Sequence, residues 1–91
     1  MRYVWDKSSW EDYVYWQTTD QKVAKRIDVL LRDIARGADA STPNEGIGKP
    51  KQLKHRLHGY RSRRITDEHR LVYKVVDDEV RIAMGRFHYE D

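Results

Sequence analysis

The sequence predicts an α+β fold: two N-terminal helices packed on one face of a small, twisted, mainly antiparallel sheet, in the order β-α-α-β-β-β-β. Three observations carry this expectation. Residues 20–37 hold a one-sided apolar stripe at helical spacing. Beyond residue 52 the apolar residues fall in short runs broken by turn residues, so closely spaced that only antiparallel hairpins can join them. The chain has 91 residues and no internal repeat, which predicts one domain, 1–91, with a thin core and a need for a partner or a second copy.

The elements follow in order. Arg2 to Trp5 reads as a short first strand. Ser8 or Ser9 is the expected cap of the first helix, because Ser8-x-x-Glu11 has capping-box spacing. Trp10, Tyr13, Val14 and Trp16 give that helix an aromatic stripe, and core packing is expected of Trp10 and Val14. Asp20 is placed to cap the second helix. Val23, Ile27, Leu30, Leu31 and Ile34 line one face of it, and Gly37 is a natural stop. Lys22, Lys25, Arg26, Arg32 and Asp33 lie on the other face, which reads as solvated.

Residues 38–50 form a loop that contains both prolines, and loops of this length in small domains often carry function. Gly46-x-Gly48-Lys49 lacks the spacing of a phosphate-binding P-loop. Leu53 to Leu57 reads as a short strand turned by His58-Gly59, and Tyr60 to Thr66 as the next, turned by Asp67-Glu68. Arg70 to Val76 is the most apolar strand. Asp77-Asp78-Glu79 makes a hairpin into the last, Val80 to Phe87. The sheet face away from the helices is left to basic residues.

Charge is distributed unevenly. Residues 49–74 carry nine Lys/Arg and two Asp/Glu, while the rest carry nine and thirteen, so the net +3 hides a basic block beside an acidic remainder. Such a block points to a polyanionic partner. Arg61, Arg63 and Arg64 crowd within four positions, a repulsion that a bound anion would offset. There is no cysteine, hence no disulfide or thiolate metal site. No apolar run is long enough to cross a bilayer. The start, Met1 to Asp6, is broken by charge and is no secretory signal, so the cytoplasm is the expected location.

Cleaving RNA without a metal uses the substrate's own 2′-hydroxyl. A base removes its proton, fixed cations stabilise the charge gathering on the phosphorane, and an acid protonates the leaving 5′-oxygen. Arg70, at the entry of the apolar strand, suits the fixed cation, its alternative being a salt bridge to Asp67 or Glu68. His88 and Tyr89, where the last strand gives out, suit proton transfer. His69 is better suited to a structural or phosphate-facing place. His55-x-x-His58 has no accompanying carboxylate, so no metal site and no cofactor are expected. No serine sits on a nucleophile elbow. Tyr60, Tyr73, Phe87 and Tyr89 lie among the cations, where aromatic rings can stack unpaired bases; Tyr73 is the one better suited to the core. No helix combines a basic face with the tight turn of a DNA-recognition motif.

The ordered pieces Val4-Trp5, Ser9-Trp10-Glu11-Asp12-Tyr13-Val14-Tyr15-Trp16, Lys25-Arg26-Ile27, Leu30-Leu31-Arg32-Asp33-Ile34, Gly46-Ile47-Gly48-Lys49-Pro50, Leu53-Lys54-His55, Ser62-Arg63-Arg64-Ile65-Thr66-Asp67-Glu68-His69-Arg70-Leu71-Val72-Tyr73 and Arg86-Phe87-His88-Tyr89 are spread over nearly the whole chain. Together they resemble the YoeB branch of the RelE-type toxins of bacterial toxin–antitoxin pairs. The resemblance implies a RelE-like fold and a ribosome-dependent endoribonuclease that cuts mRNA in the A site and stops translation. It also implies an antitoxin similar to YefM, a homodimer, and DNA contact only through the antitoxin. It implies catalytic roles for Arg70, His88 and Tyr89. Lys54 and Arg64 match RNA-contacting residues of the family, and Lys49 and Arg63 in the same basic segment are expected to join them. The sequence departs from the family at one position. The family's loop reads Gly-x-Gly-Lys-Pro-Glu, with the glutamate taken as general base, and this chain has Lys51 there. Three outcomes follow: Lys51 acts as the base; His88 does, with Lys51 stabilising charge; or the chain is a weakened nuclease that serves as an RNA-, ribosome- or antitoxin-binding module.

Overall fold

A computed structural model describes residues 1–37 and 46–88. Within them the order is β1 (Arg2–Trp5), α1 (Lys7–Thr19), α2 (Gln21–Arg36), β2 (Lys51–Gln52), a single 3₁₀ turn (His55–Leu57), β3 (Arg61–Arg64), β4 (Arg70–Val76) and β5 (Glu79–Met84). The strands form one sheet in the order β1-β5-β4-β3-β2. β2, β3, β4 and β5 pair antiparallel in sequence, and β1 joins the far edge parallel to β5. A parallel partner cannot be reached by a hairpin; the chain crosses over through both helices before it returns. The α+β class, helices on one face of a mainly antiparallel sheet, is therefore as the sequence predicts.

α2 is positioned by its stripe. Val23, Ala24, Ile27, Leu30, Leu31 and Ile34 are buried against Leu71, Tyr73, Val80 and Ile82 of β4 and β5. Each valine, leucine or isoleucine among them contributes about 1.5–3 kcal/mol by leaving water. Asp20 serves both helices: its amide donates to the Trp16 carbonyl (2.8 Å) at the end of α1, and its carboxylate accepts from the Lys22 amide (3.1 Å) at the start of α2. The Gly37 amide closes α2 on the carbonyls of Asp33 and Ile34.

α1 differs from expectation in two respects. Its cap is Asp6, not Ser8 or Ser9. The Asp6 carboxylate accepts from the Ser9 amide (2.7 Å), and the Ser9 hydroxyl donates back to the Asp6 carbonyl (3.2 Å), a reciprocal arrangement that starts the helix at Lys7, before either serine. The inward face is then Ser9, Asp12, Tyr13 and Trp16, and the expected core residues Trp10 and Val14 are 47% and 37% exposed. Polar residues on the packed face concealed the true stripe. Trp10 instead closes an aromatic cluster with Trp5 (5.6 Å) and Tyr13 (5.7 Å) at the helix flank.

The expected strand Leu53 to Leu57 is also absent. Pairing stops after Gln52, because His55 takes a left-handed φ of 55° and the chain closes into the 3₁₀ turn, with Leu57 donating to Lys54 and His58 to His55. The Leu53 amide, bonded to the Tyr60 carbonyl (3.0 Å), pins that excursion to the sheet edge.

Candidate functional site

Strand register decides which cations share a face. Arg64 sits directly opposite Arg70, Lys51 opposite Ser62, and Ser62 opposite Val72. Side chains alternate along a strand. Leu71 and Tyr73 belong to the helix-side core, so Lys51, Arg64, Arg70 and Lys74 share the outer face. Like charges directly opposite on neighbouring strands repel. Placing Arg64 against Arg70 makes this part of the face receptive to an anion.

Arg70 is held in place by carbonyls. Its Nη1 donates to the backbone oxygens of Thr66 (2.7 Å), Asp67 (3.0 Å) and His69 (3.1 Å). These bonds fix the guanidinium without neutralising it. Among the described residues no carboxylate lies within salt-bridge distance, so the alternative pairing with Asp67 or Glu68 is not made. Thr66 shapes the underlying turn, its hydroxyl accepting from the amides of Glu68 and His69.

The segment leading to His88 is tied to the same place. β5 ends at Met84, short of the expected Phe87, because α1 takes over the backbone. The Gly85 amide donates to the Asp12 carboxylate (3.0 Å), and the Trp16 indole donates to the Gly85 carbonyl (2.8 Å). Two residues on, the Arg70 amide donates to the Phe87 carbonyl (3.1 Å) and His69 Nδ1 accepts from the Phe87 amide. His69 is itself braced edge-on against Trp16, 4.7 Å between ring centres. The Arg86 guanidinium stacks over Tyr15 at 3.5 Å and Phe87 at 4.4 Å. Phe87 has a left-handed φ of 68°, which a non-glycine residue holds only under constraint, and this clamp is the constraint. His88 follows it, exposed. Tyr89 lies outside the described residues.

The remaining expected residues divide. Lys49, Lys51 and Lys54 are exposed along the segment that enters and leaves β2. Arg63 must be withdrawn from the RNA contacts. It is 5% exposed on the helix side, where its guanidinium pairs with Asp33 and donates to the Ile47 carbonyl (3.1 Å) and the Tyr73 hydroxyl (3.1 Å). Asp33, expected on a solvated face, is its counterion. The Arg63 hydrogen bond, ahead of the opposing effect of burial, holds the Asp33 carboxyl below its ordinary range, helped by the Ile47 amide. This ion pair ties the loop at Gly46–Gly48 to α2, and the Arg64 amide bonds the Gly48 carbonyl (2.7 Å), so the path into Lys51 is anchored at both walls. Sequence reasoning gave no part in the site to Asp12, to Trp16, read only as a member of an aromatic stripe, or to Asp33, read as solvated. The partners that place them in the site, Arg63 for Asp33 and Gly85 for Asp12 and Trp16, lie 30 to 73 residues away, and no local pattern reports such contacts.

Among the described residues no group of three or more His, Cys, Asp or Glu is placed to hold a metal ion, and no helix is long and apolar enough to cross a membrane.

The family model described as the YoeB-like toxin of bacterial type II toxin–antitoxin systems matches residues 5–89. Toxin YoeB of Escherichia coli K12 is 53% identical over 89 residues, spanning 98% of this chain and all of that protein. The YoeB/ParE toxin structure from Agrobacterium tumefaciens superposes with a TM-score of 0.88 at 45% identity, over 98% of this chain and all of the other. The heterotetrameric YoeB–YefM toxin–antitoxin complex from Staphylococcus aureus contains a chain that superposes at 0.85 with 45% identity, over 98% of both chains.

Proposed function

The chain belongs to the YoeB-like toxins of bacterial type II toxin–antitoxin systems, and on that premise we propose that it is an endoribonuclease that enters the ribosomal A site and cuts the exposed mRNA codon. The observation that carries this reading is Arg64 facing Arg70 across the outer sheet, with residue 87 bonded to the Arg70 amide. The fixed Arg70 guanidinium and the Arg64 guanidinium of the facing strand hold the scissile phosphate and stabilise the charge that builds on it. His88 takes the 2′-hydroxyl proton, Tyr89 serves the leaving oxygen, and Lys51 adds positive charge from β2. Lys49, Lys54 and Arg64 contact the RNA backbone.

The partners follow from the same family. A YefM-like antitoxin inhibits the toxin, two copies of which form a dimer, and DNA is reached only through the antitoxin. The S. aureus complex, a heterotetramer of that toxin with its antitoxin, supports this assembly. The cytoplasm is where ribosomes and antitoxin are met.

The test adds purified protein to translating ribosomes and maps mRNA 5′ ends. Cuts within A-site codons are expected, with Arg70→Ala losing about 10²–10³-fold and His88→Ala about 10²–10⁴-fold in rate. The substitution at Lys51 favours one other reading, a binding module that has lost its base. Ribosome binding with intact mRNA would establish that one instead.

A further inference from the structure

We infer that the outer face carries a second nucleotide seat, built by Lys74, Arg81 and Tyr60, which takes a phosphate of single-stranded RNA beyond the one held by Arg64 and Arg70. The ligand class rests on the proposed RNA-cleaving function; the seat itself rests on other residues.

β4 presents Arg70, Val72 and Lys74 on the same face, so Lys74 lies about 13 Å further along the strand than Arg70. Its cross-strand neighbour is Arg81. The face thus repeats, at its other end, the like-charge opposition of Arg64 and Arg70, a costly arrangement in the absence of an anion. Lys74 is held by a ring: its Nζ lies 4.9 Å over the centre of Tyr60. Among the described residues no carboxylate comes within salt-bridge distance of it. Arg81 Nε donates to Glu79 (2.9 Å), but that same carboxylate also takes Arg2, so two guanidiniums share one negative charge and an excess remains.

These groups surround an open pocket of about 250 Å³, lined among others by Val4, Asp6, Tyr60, Lys74, Arg81 and Ala83. Asp6 is the acidic member, and its carboxylate is engaged by the Ser9 amide and the Ser8 hydroxyl at the start of α1. A cation pair beside an aromatic wall is the pattern that holds unpaired nucleotides, by backbone charge and base contact together.

The test uses two probes on the full chain: a 2′-O-methyl hexanucleotide, which binds without being cut, and a dinucleoside monophosphate, whose single phosphate can fill only one seat. Binding is read by fluorescence anisotropy across a salt series, after thermal melts establish that each variant is folded. The double variant Lys74→Ala/Arg81→Ala should bind the hexanucleotide about tenfold more weakly, with a salt slope shallower by about 1, and the dinucleoside monophosphate as well as the wild type does. Lys22→Ala/Lys25→Ala, which removes the same charge from an exposed helix face, should leave both unchanged. The second seat is overturned if the double variant binds the hexanucleotide like the wild type or like the helix control, or if it loses both probes equally. It is also overturned if the double variant loses affinity for the antitoxin alone, which would assign the pocket to a protein partner. Arg64→Ala separates the two readings. Both probes should weaken; if neither does, the RNA-face reading itself fails.

Discussion

His69 Nδ1 accepts a hydrogen bond of 2.8 Å from the backbone amide of Phe87, the residue before His88. An imidazole that accepts at Nδ1 carries its proton on Nε2, so the ring is committed to one tautomer by the backbone it holds. Together with the Arg70 amide on the Phe87 carbonyl, this bond keeps Phe87 at its left-handed φ of 68°. Releasing it would let Phe87 relax and carry His88 away from Arg70.

His69→Ala should therefore lower kcat for ribosome-dependent cleavage by about 10–100-fold, the range a displacement of roughly 1 Å produces, with little change in KM. Asn can place its amide oxygen near the site of Nδ1, and His69→Asn should recover most of the rate. The direct readout is amide hydrogen exchange at Phe87, fast in His69→Ala and protected in His69→Asn. Protection that persists in His69→Ala would remove the imidazole from this role.

The Asp33–Arg63 pair makes a prediction about stability. Asp33→Asn keeps the shape but leaves the Arg63 guanidinium buried without a counterion. Breaking a fully buried pair costs about 3–5 kcal/mol, and the partial exposure of Asp33 reduces this to about 2–3 kcal/mol. For a chain of this size that corresponds to a fall of about 10–20 °C in Tm. The pH dependence has a fixed sign. The folded carboxyl ionises below the ordinary 3.8, so its contribution is whole above that value and is lost as the pH falls through the folded-state value. Urea titrations should show an acid-dependent loss in the wild type below 3.8 that Asp33→Asn reduces, while the Asp6 and Glu79 carboxyls, also held low in the fold, keep the remainder.

Gly46 tests the same anchor from the loop side. Its φ is +124°, and a Cβ there would sit 2.5 Å from Asp33 Oδ2 and 2.7 Å from Arg63 Nη1, two atoms already locked to each other. Gly46→Ala should cost about 2–4 kcal/mol, combining backbone strain with a clash that is relieved only by parting the ends of the Asp33–Arg63 pair. Gly59 is the control. Its φ is +94° with nothing within 4 Å of an added Cβ, so Gly59→Ala should cost only the conformational part, about 1 kcal/mol. Equal losses in chemical denaturation would mean the Asp33–Arg63 contact gives way.

What the sequence disclosed and what it hid divide along sequence separation. The α2 stripe, the Asp20 cap and the β4–β5 hairpin are local signals, and each is present, although the last strand runs from Glu79 to Met84 and not from Val80 to Phe87. The α1 cap is ambiguous in the sequence because Ser8 and Asp6 both suit an N-terminus, and only the Ser9 amide decides between them. The packed face of α1 is hidden because Ser9 and Asp12 are polar, yet each is satisfied, Ser9 by Asp6 and Asp12 by the Gly85 amide. Arg63 looked like its neighbour Arg64, since strand alternation sends one inward and one outward, but the partner that makes the inward place tolerable is thirty residues away. The positions of Arg64 and Arg70 in the basic strands were legible; their direct opposition needed the register.

Lys51 supplies the last prediction. It lies on β2 opposite Ser62, on the face that carries Arg64 and Arg70. If His88 is the base and Lys51 stabilises charge, then Lys51→Ala should lower kcat/KM by about tenfold. Lys51→Glu should do worse, about 10–100-fold, because a carboxylate beside the phosphate both removes a favourable charge and adds a repulsive one. RNA affinity should fall in parallel, with a shallower salt dependence in each variant. Single-turnover cleavage on programmed ribosomes separates binding from chemistry. A large gain of rate in Lys51→Glu would give the opposite answer: a carboxylate at this position would be the missing proton acceptor, and the natural lysine would mark a toxin that binds its target better than it cuts it.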